Sequence, residues 1–261
     1  MKKTLSVLAL SCMLSAAPLV AQAQEWATLK AKIVYDGPIP TRVKVDSSKD
    51  AFCAKLDIVS EAMVVGKGGE LANLALIMDP RKSKVDAIHP DLAEPSAEPV
   101  VLDNDGCIFK PHVFVARAGQ TVKVKNSDQT GHNAKFDFFS NESRNDLIPV
   151  GGSIEFKLES AERASANPVE CNIHPWMKSY IIVRDHPYVG VSGEDGVIEI
   201  KNLPAGEVTF RLWHENQDGA IDKGEVGGKA QKWSRGYMEV DLKPGMNDLG
   251  TIKIPAAAFN K

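Results

Sequence analysis

Past residue 23 the chain has no run of 18 consecutive apolar residues, so a membrane-spanning helix of ordinary length is excluded from that part. It also lacks an excess of basic charge. Lys and Arg number 31 against 34 Asp and Glu, a net charge of −3, or −5 once Lys2 and Lys3 leave with the leader described below. A mildly acidic chain has no electrostatic footprint for nucleic acid or an anionic membrane surface. No long amphipathic helical pattern is present, which argues against a helical bundle. What the chain does have is 261 residues, 43% of them hydrophobic, enough for one large or two small cores.

The apolar run Leu5–Val20 follows Lys2-Lys3 and ends at Ala21-Gln22-Ala23, the pattern of a cleavable secretory leader over residues 1–23. Export to the periplasm or beyond is the expectation, with Cys12 lost in processing and no membrane span afterwards. Three cysteines then remain, Cys53, Cys107 and Cys171, in a compartment where thiols oxidise. The economical solution pairs two and gives the third another chemistry. Cys171 has potential metal ligands beside it and Cys53 and Cys107 do not, so a Cys53–Cys107 disulfide is expected.

Period-2 alternation runs through the rest: Leu29/Ala31/Ile33 against Lys30/Lys32, and Val122/Val124 against Lys123/Lys125. Further copies occur at Ile154/Phe156/Leu158, Ile198/Ile200, Val208/Phe210/Leu212 and Ile252/Ile254, separated by Gly- and Pro-containing turns. Such segments are half-buried antiparallel strands, and the class is an all-β sandwich. The aperiodic stretch near 80–105, with Pro80, Pro90, Pro95 and Pro99, reads as a surface insertion. A break at Asp185-His186-Pro187 divides the mature chain into an expected unit over 24–185 and a smaller one over 186–261. Residues 216–225 imitate part of a calcium loop, but His214 stands where the first Asp belongs and the flanking segments are strands, so a hairpin loop is expected.

The chemistry is concentrated in Cys171-Asn172-Ile173-His174-Pro175-Trp176-Met177, just before the apolar strand Tyr180-Ile181-Ile182-Val183. Thiolate, imidazole and thioether together suit copper better than any hard cation. Structural zinc wants four strong ligands and would gain little from Met177. A second histidine must come from elsewhere, and His132 follows a strand–loop segment able to carry it there. The sequence has no His-x-His pair, so no ligands for a trinuclear copper cluster are visible. His112, in Lys110-Pro111-His112, reads either as a donor near the metal or as an ordinary structural histidine.

With Phe109-x-Pro111, Ala118-Gly119-Gln120-Thr121-Val122, Asn126-x-Asp128, His132-Asn133 and the Cys-x2-His-x2-Met loop, the region 105–184 resembles the cupredoxins of the plastocyanin and amicyanin type. The resemblance extends to exported bacterial proteins labelled methylamine-utilisation-like. It implies a Greek-key sandwich with one type 1 copper, His132, Cys171 and His174 as equatorial ligands and Met177 as the axial one. It also implies Asn126 and Asn133 as braces of the two ligand loops and the Gly131 carbonyl as a distant contact. The implied function is single-electron transport rather than enzymatic turnover, with a redox partner such as a cytochrome or a dehydrogenase. Docking is expected at an exposed edge of His174 flanked by Pro175 and Trp176. A periplasmic store or courier of copper using the same ligands is the alternative. The segment 186–261 resembles small transthyretin-like or carboxypeptidase-regulatory-like sandwiches.

Overall fold

A computed structural model describes residues 24–259; the expected leader 1–23, with Cys12, lies outside them. The described chain is all-β, its strands numbered here in chain order. None of its helices is long and apolar enough to cross a membrane.

In one five-stranded sheet β1 (Trp26–Asp36) lies between β13 (Val197–Pro204), antiparallel, and β18 (Gly245–Pro255), parallel; β15 (Lys223–Val226) and β16 (Lys229–Lys232) extend the sheet beyond β18. Opposite it, β12 (Val189–Val191), β2 (Ala75–Met78), β14 (Gly206–Trp213) and β17 (Tyr237–Leu242) form a second sheet. The alternation in β1 explains the packing: Leu29, Ala31 and Ile33 are buried and Lys30 and Lys32 exposed. Leu29 and Ala31 stand across from Ile200 and Ile198, and these side chains meet Leu76, Phe210 and Leu212 of the facing sheet in one core. Each fully buried aliphatic side chain contributes about 1.5–3 kcal/mol of transfer free energy. Gly190 in β12 is required by close approach, since a Cβ there would stand 2.4 Å from Ile198 Cγ2.

The middle of the chain makes the other sandwich. β3 (Val100–Asn104) pairs with β4 (Phe109–Lys110) and β6 (Thr121–Asn126), which pairs with β9 (Ser153–Lys157). The facing sheet runs β5 (Val113–Arg117), β11 (Lys178–Arg184), β10 (Asn167–Glu170), β7 (His132–Phe136), β8 (Arg144–Ile148). Leu102, Phe109, Val122, Val124, Phe136, Ile148 and Ile181 fill the space between, and Cys171 and Met177 belong to the same apolar cluster. Ala75, Ile77, Val113 and Ile182 form a small apolar seam that joins the two sandwiches.

Two boundaries differ from those expected. β1 and β2 precede residue 100, yet their sheet partners β12, β13, β14 and β18 all follow residue 186, so the second sandwich is built from both ends of the chain. Alternation identifies a strand without identifying its neighbour, and a division at 185/186 passes over that closure. The insertion near 80–105 also ends early, because Val100–Asn104 is a strand parallel to β6 over five residue pairs. Its period is hidden by Asn104, a polar residue at a buried position that donates through Nδ2 to Lys125 O at 2.8 Å.

Candidate metal centre

β6 ends at Asn126, and the loop to β7 delivers His132 to the end of the sandwich where β10 releases Cys171. Asn126 shapes that loop, its Nδ2 donating to Thr130 O (2.8 Å) and Ile148 O (3.0 Å) while its Oδ1 accepts from Asp128 N (3.0 Å). The 171–177 loop closes on itself. Cys171 N donates to Met177 O at 3.2 Å, Met177 N to His174 O at 2.8 Å, and His174 N to Cys171 Sγ at 3.4 Å. Asn133 ties the two loops together: its Oδ1 accepts from Asn172 N (2.8 Å), Ile173 N (3.2 Å) and Cys171 Sγ (3.4 Å). A Cβ at Gly131 would meet nothing within 4 Å, so space does not demand glycine there.

Ligand atoms of His132, Cys171 and His174 all lie within 4.8 Å of one another, and all three residues are buried. The two Nδ1 atoms are 2.9 Å apart and His174 Nδ1 is 3.8 Å from Cys171 Sγ. Met177 is fully buried in the same cluster as the thiol.

Each imidazole is held from behind by a carboxylate: His132 Nε2 lies 2.9 Å from Asp128 Oδ2, and His174 Nε2 lies 3.3 Å from Asp50 Oδ2. With an Nε2–H directed to each carboxylate, both Nδ1 lone pairs face the shared centre, the orientation of metal-bound histidine. Two imidazole nitrogens 2.9 Å apart with a thiol beside them form a compact nitrogen and sulfur donor set, which fits a soft or borderline metal ion. Burial pushes the His132 imidazole below its ordinary range, despite Asp128, which favours the neutral, ligating form. The backbone N–H of Cys53 is the largest influence holding the Asp50 carboxyl down, to about 2.

Both carboxylates hang from one covalent link. Cys53 and Cys107 form a disulfide. Cys53 N donates to Asp50 Oδ1 at 2.8 Å, and Cys107 N donates to Asp128 Oδ2 at 2.8 Å, the same oxygen that meets His132. Gly106 N adds a third bond to Asp128 at 2.7 Å. Gly106 and Cys107 both have positive φ (76° and 57°), which aims the two N–H groups at a single side chain. Asp50 and Asp128 contact the two imidazoles, a role that the ligand motifs gave to neither. Asp128, four residues before His132, is visible in the sequence as a possible partner, whereas Asp50 has no local signal.

The exposed His174 edge expected from the loop is absent. His174 is 2% exposed because the segment around Asp50 covers its distal nitrogen, so the imidazole does not form a surface patch with Pro175 and Trp176. Pro175 is exposed and Trp176 half-buried, its indole donating through Nε1 to Cys107 O at 3.1 Å, with its ring 5.1 Å from that of His174. Trp176 packs on the core of its own sandwich rather than on the second. His112 is placed elsewhere, its ring nitrogens facing Glu215 and Glu61 and its backbone carbonyl accepting from Tyr180 N and Ser179 Oγ.

No family model matches the sequence, and no curated protein matches it. Among solved structures, the Cu-containing nitrite reductase NirK from Thermus scotoductus SA-01 aligns at 25% identity and TM-score 0.31, over 38% of this chain and 27% of its own. A reduced mutant of amicyanin aligns at 17% identity and TM-score 0.30, over 35% of this chain and 92% of its own. A purple cupredoxin from Nitrosopumilus maritimus aligns at 19% identity and TM-score 0.27, over 32% of this chain and 97% of its own.

Proposed function

We propose that the chain is an exported type 1 copper protein that carries single electrons between redox partners and has no enzymatic turnover of its own. The observation that carries this reading is the convergence of the Cys171 thiol with the Nδ1 atoms of His132 and His174 inside a buried cluster. Copper bound by such a set supplies one-electron redox chemistry with a strong thiolate-to-copper absorption. Cys171 gives the thiolate, the two imidazoles give fixed nitrogen donors, and Met177 gives a weak axial thioether. Asn133, Asp50 and Asp128 hold those donors where they are, so little reorganisation accompanies a change of oxidation state. The expected leader and the Cys53–Cys107 disulfide are consistent with an oxidising compartment. A redox partner such as a cytochrome or a dehydrogenase would meet the loop at Pro175 and Trp176, the indole lying beside the covered His174 ring. The alternative is a store that hands copper on; burial of all three donors and the cover over His174 favour keeping the ion.

Met177→Leu tests the division of labour in this reading. Losing the thioether withdraws electron density that favours the oxidised metal, so the variant is expected to keep copper and its colour while the midpoint potential rises. Potentiometry with copper analysis decides it: loss of copper as complete as in Cys171→Ser would show that Met177 holds the ion rather than tunes it.

A further inference from the structure

We propose that His112 and Glu61 form a second cation site, separate from the thiolate centre, which takes a borderline divalent transition ion of the zinc type. Nothing in the proposed electron-carrier function uses these residues. His112 sits near the junction of the sandwiches with its side chain only 6% exposed. Its Nε2 pairs with Glu215, a carboxylate 8% exposed on the far side of the ring, and Tyr180 packs edge-on at 6.0 Å. This is the arrangement that His132 and His174 show with Asp128 and Asp50: a carboxylate fixes Nε2 and leaves Nδ1 as the outward donor.

The Nδ1 atom of His112 is buried and has no hydrogen-bond partner. It faces Glu61 Oε2 at 3.5 Å, too far for a good hydrogen bond. Two ligands bound at 2.0–2.1 Å in tetrahedral geometry stand about 3.3 Å apart, so the pair already has the spacing of a ligand edge. Both residues line a cavity of about 60 Å³, with Ser60, Trp176, Lys178 and Glu215 among the other walls. That volume holds an ion and completing water molecules, since a single water needs roughly 10–15 Å³ by the same measure. Entry is open, because Glu61 is 20% exposed. The cationic wall residue, Lys178, is paired with Glu170 at 3.2 Å.

The charges facing His112 favour a cation: Glu61 and Glu215 flank it, with Tyr180 and the buried His214 next to Glu215. Burial opposes a charged ring, but the two carboxylates outweigh it and raise His112 to about 9. An incoming divalent ion therefore takes the place of one proton on Nδ1, which is released to solvent. Binding strengthens as pH rises toward 9.

The test is a Zn²⁺ titration at pH 8 of the full chain with its thiolate centre filled by reduced copper. Binding is followed by calorimetry, and the histidine rings are followed by long-range ¹H–¹⁵N spectra. One Zn²⁺ per chain is expected, with a large shift confined to Nδ1 of His112, and at least roughly tenfold weaker binding in Glu61→Gln and His112→Gln. The His112 ring shift locates the ion independently of whether copper occupies the first centre. If Zn²⁺ fails to bind, moves only the rings of His132 and His174, or binds equally to wild type and Glu61→Gln, the site does not exist. Glu61 is partly exposed and outside both cores, so its variant folds even if His112→Gln does not.

Discussion

Replacing both half-cystines, Cys53→Ala with Cys107→Ala, is expected to loosen the metal centre as well as destabilise the fold. The disulfide spans 54 residues, and the chain-entropy estimate for a loop of that length is about 4 kcal/mol. Denaturant unfolding of the metal-free protein should show a loss of that order. The larger effect is functional, because Cys53 N–H fixes Asp50 behind His174 and Cys107 N–H fixes Asp128 behind His132. Alanine keeps both N–H groups, but the two segments that carry them are no longer tied together, so both braces loosen at once. Copper affinity is expected to fall by roughly 10–100-fold or more, the cost of losing outer partners of metal-bound histidine. Asp128→Asn in the intact protein separates the two effects: it should weaken copper while leaving the disulfide and most of the stability. Equal copper affinity in the double variant and the wild type would reduce the disulfide to a staple with no part in the site.

Cys171→Ser is expected to remove the intense visible absorption altogether, because that transition belongs to the thiolate–copper bond. The residue is 2% exposed in an apolar cluster, so a hydroxyl in its place is a poor ligand and a poor core group. Copper affinity should fall by more than an outer-partner substitution costs, leaving at most a weak site between His132 and His174. Optical titration with Cu²⁺ checks this, with His132→Ala and His174→Ala as companions that retain a thiolate. Persistence of the band in Cys171→Ser would remove the thiolate from the centre.

The ligand loop was legible because thiolate, imidazole and thioether in seven residues leave few chemistries open, and the strands because their alternation marks one buried face. The disulfide followed from Cys171 having ligand neighbours that Cys53 and Cys107 lack. Strand partners were harder. β1 carries the same alternation whichever sheet it joins, and only the complete chain reveals that it closes against β13 and β18. β3 was hidden by the buried Asn104. Contacts between distant parts of the sequence account for what the site motifs missed. Asp50 reaches His174 from a segment without any metal-binding pattern, and its cover over the imidazole is what buries an edge that the loop alone would place at the surface. His112 has no carboxylate near it in the sequence, and its neighbours Glu61 and Glu215 come from segments far to either side of it in the chain.

The most direct measurement is an optical and paramagnetic-resonance titration of the disulfide-intact protein with one equivalent of Cu²⁺, followed by a reduction and reoxidation cycle. The expected result is one strongly absorbing copper per chain with the narrow hyperfine splitting of a thiolate site, bleached by one electron and restored by reoxidation without loss of metal. Copper bound without the thiolate band, or a band that fades irreversibly as Cys171 oxidises, would contradict an electron carrier built on His132, Cys171 and His174.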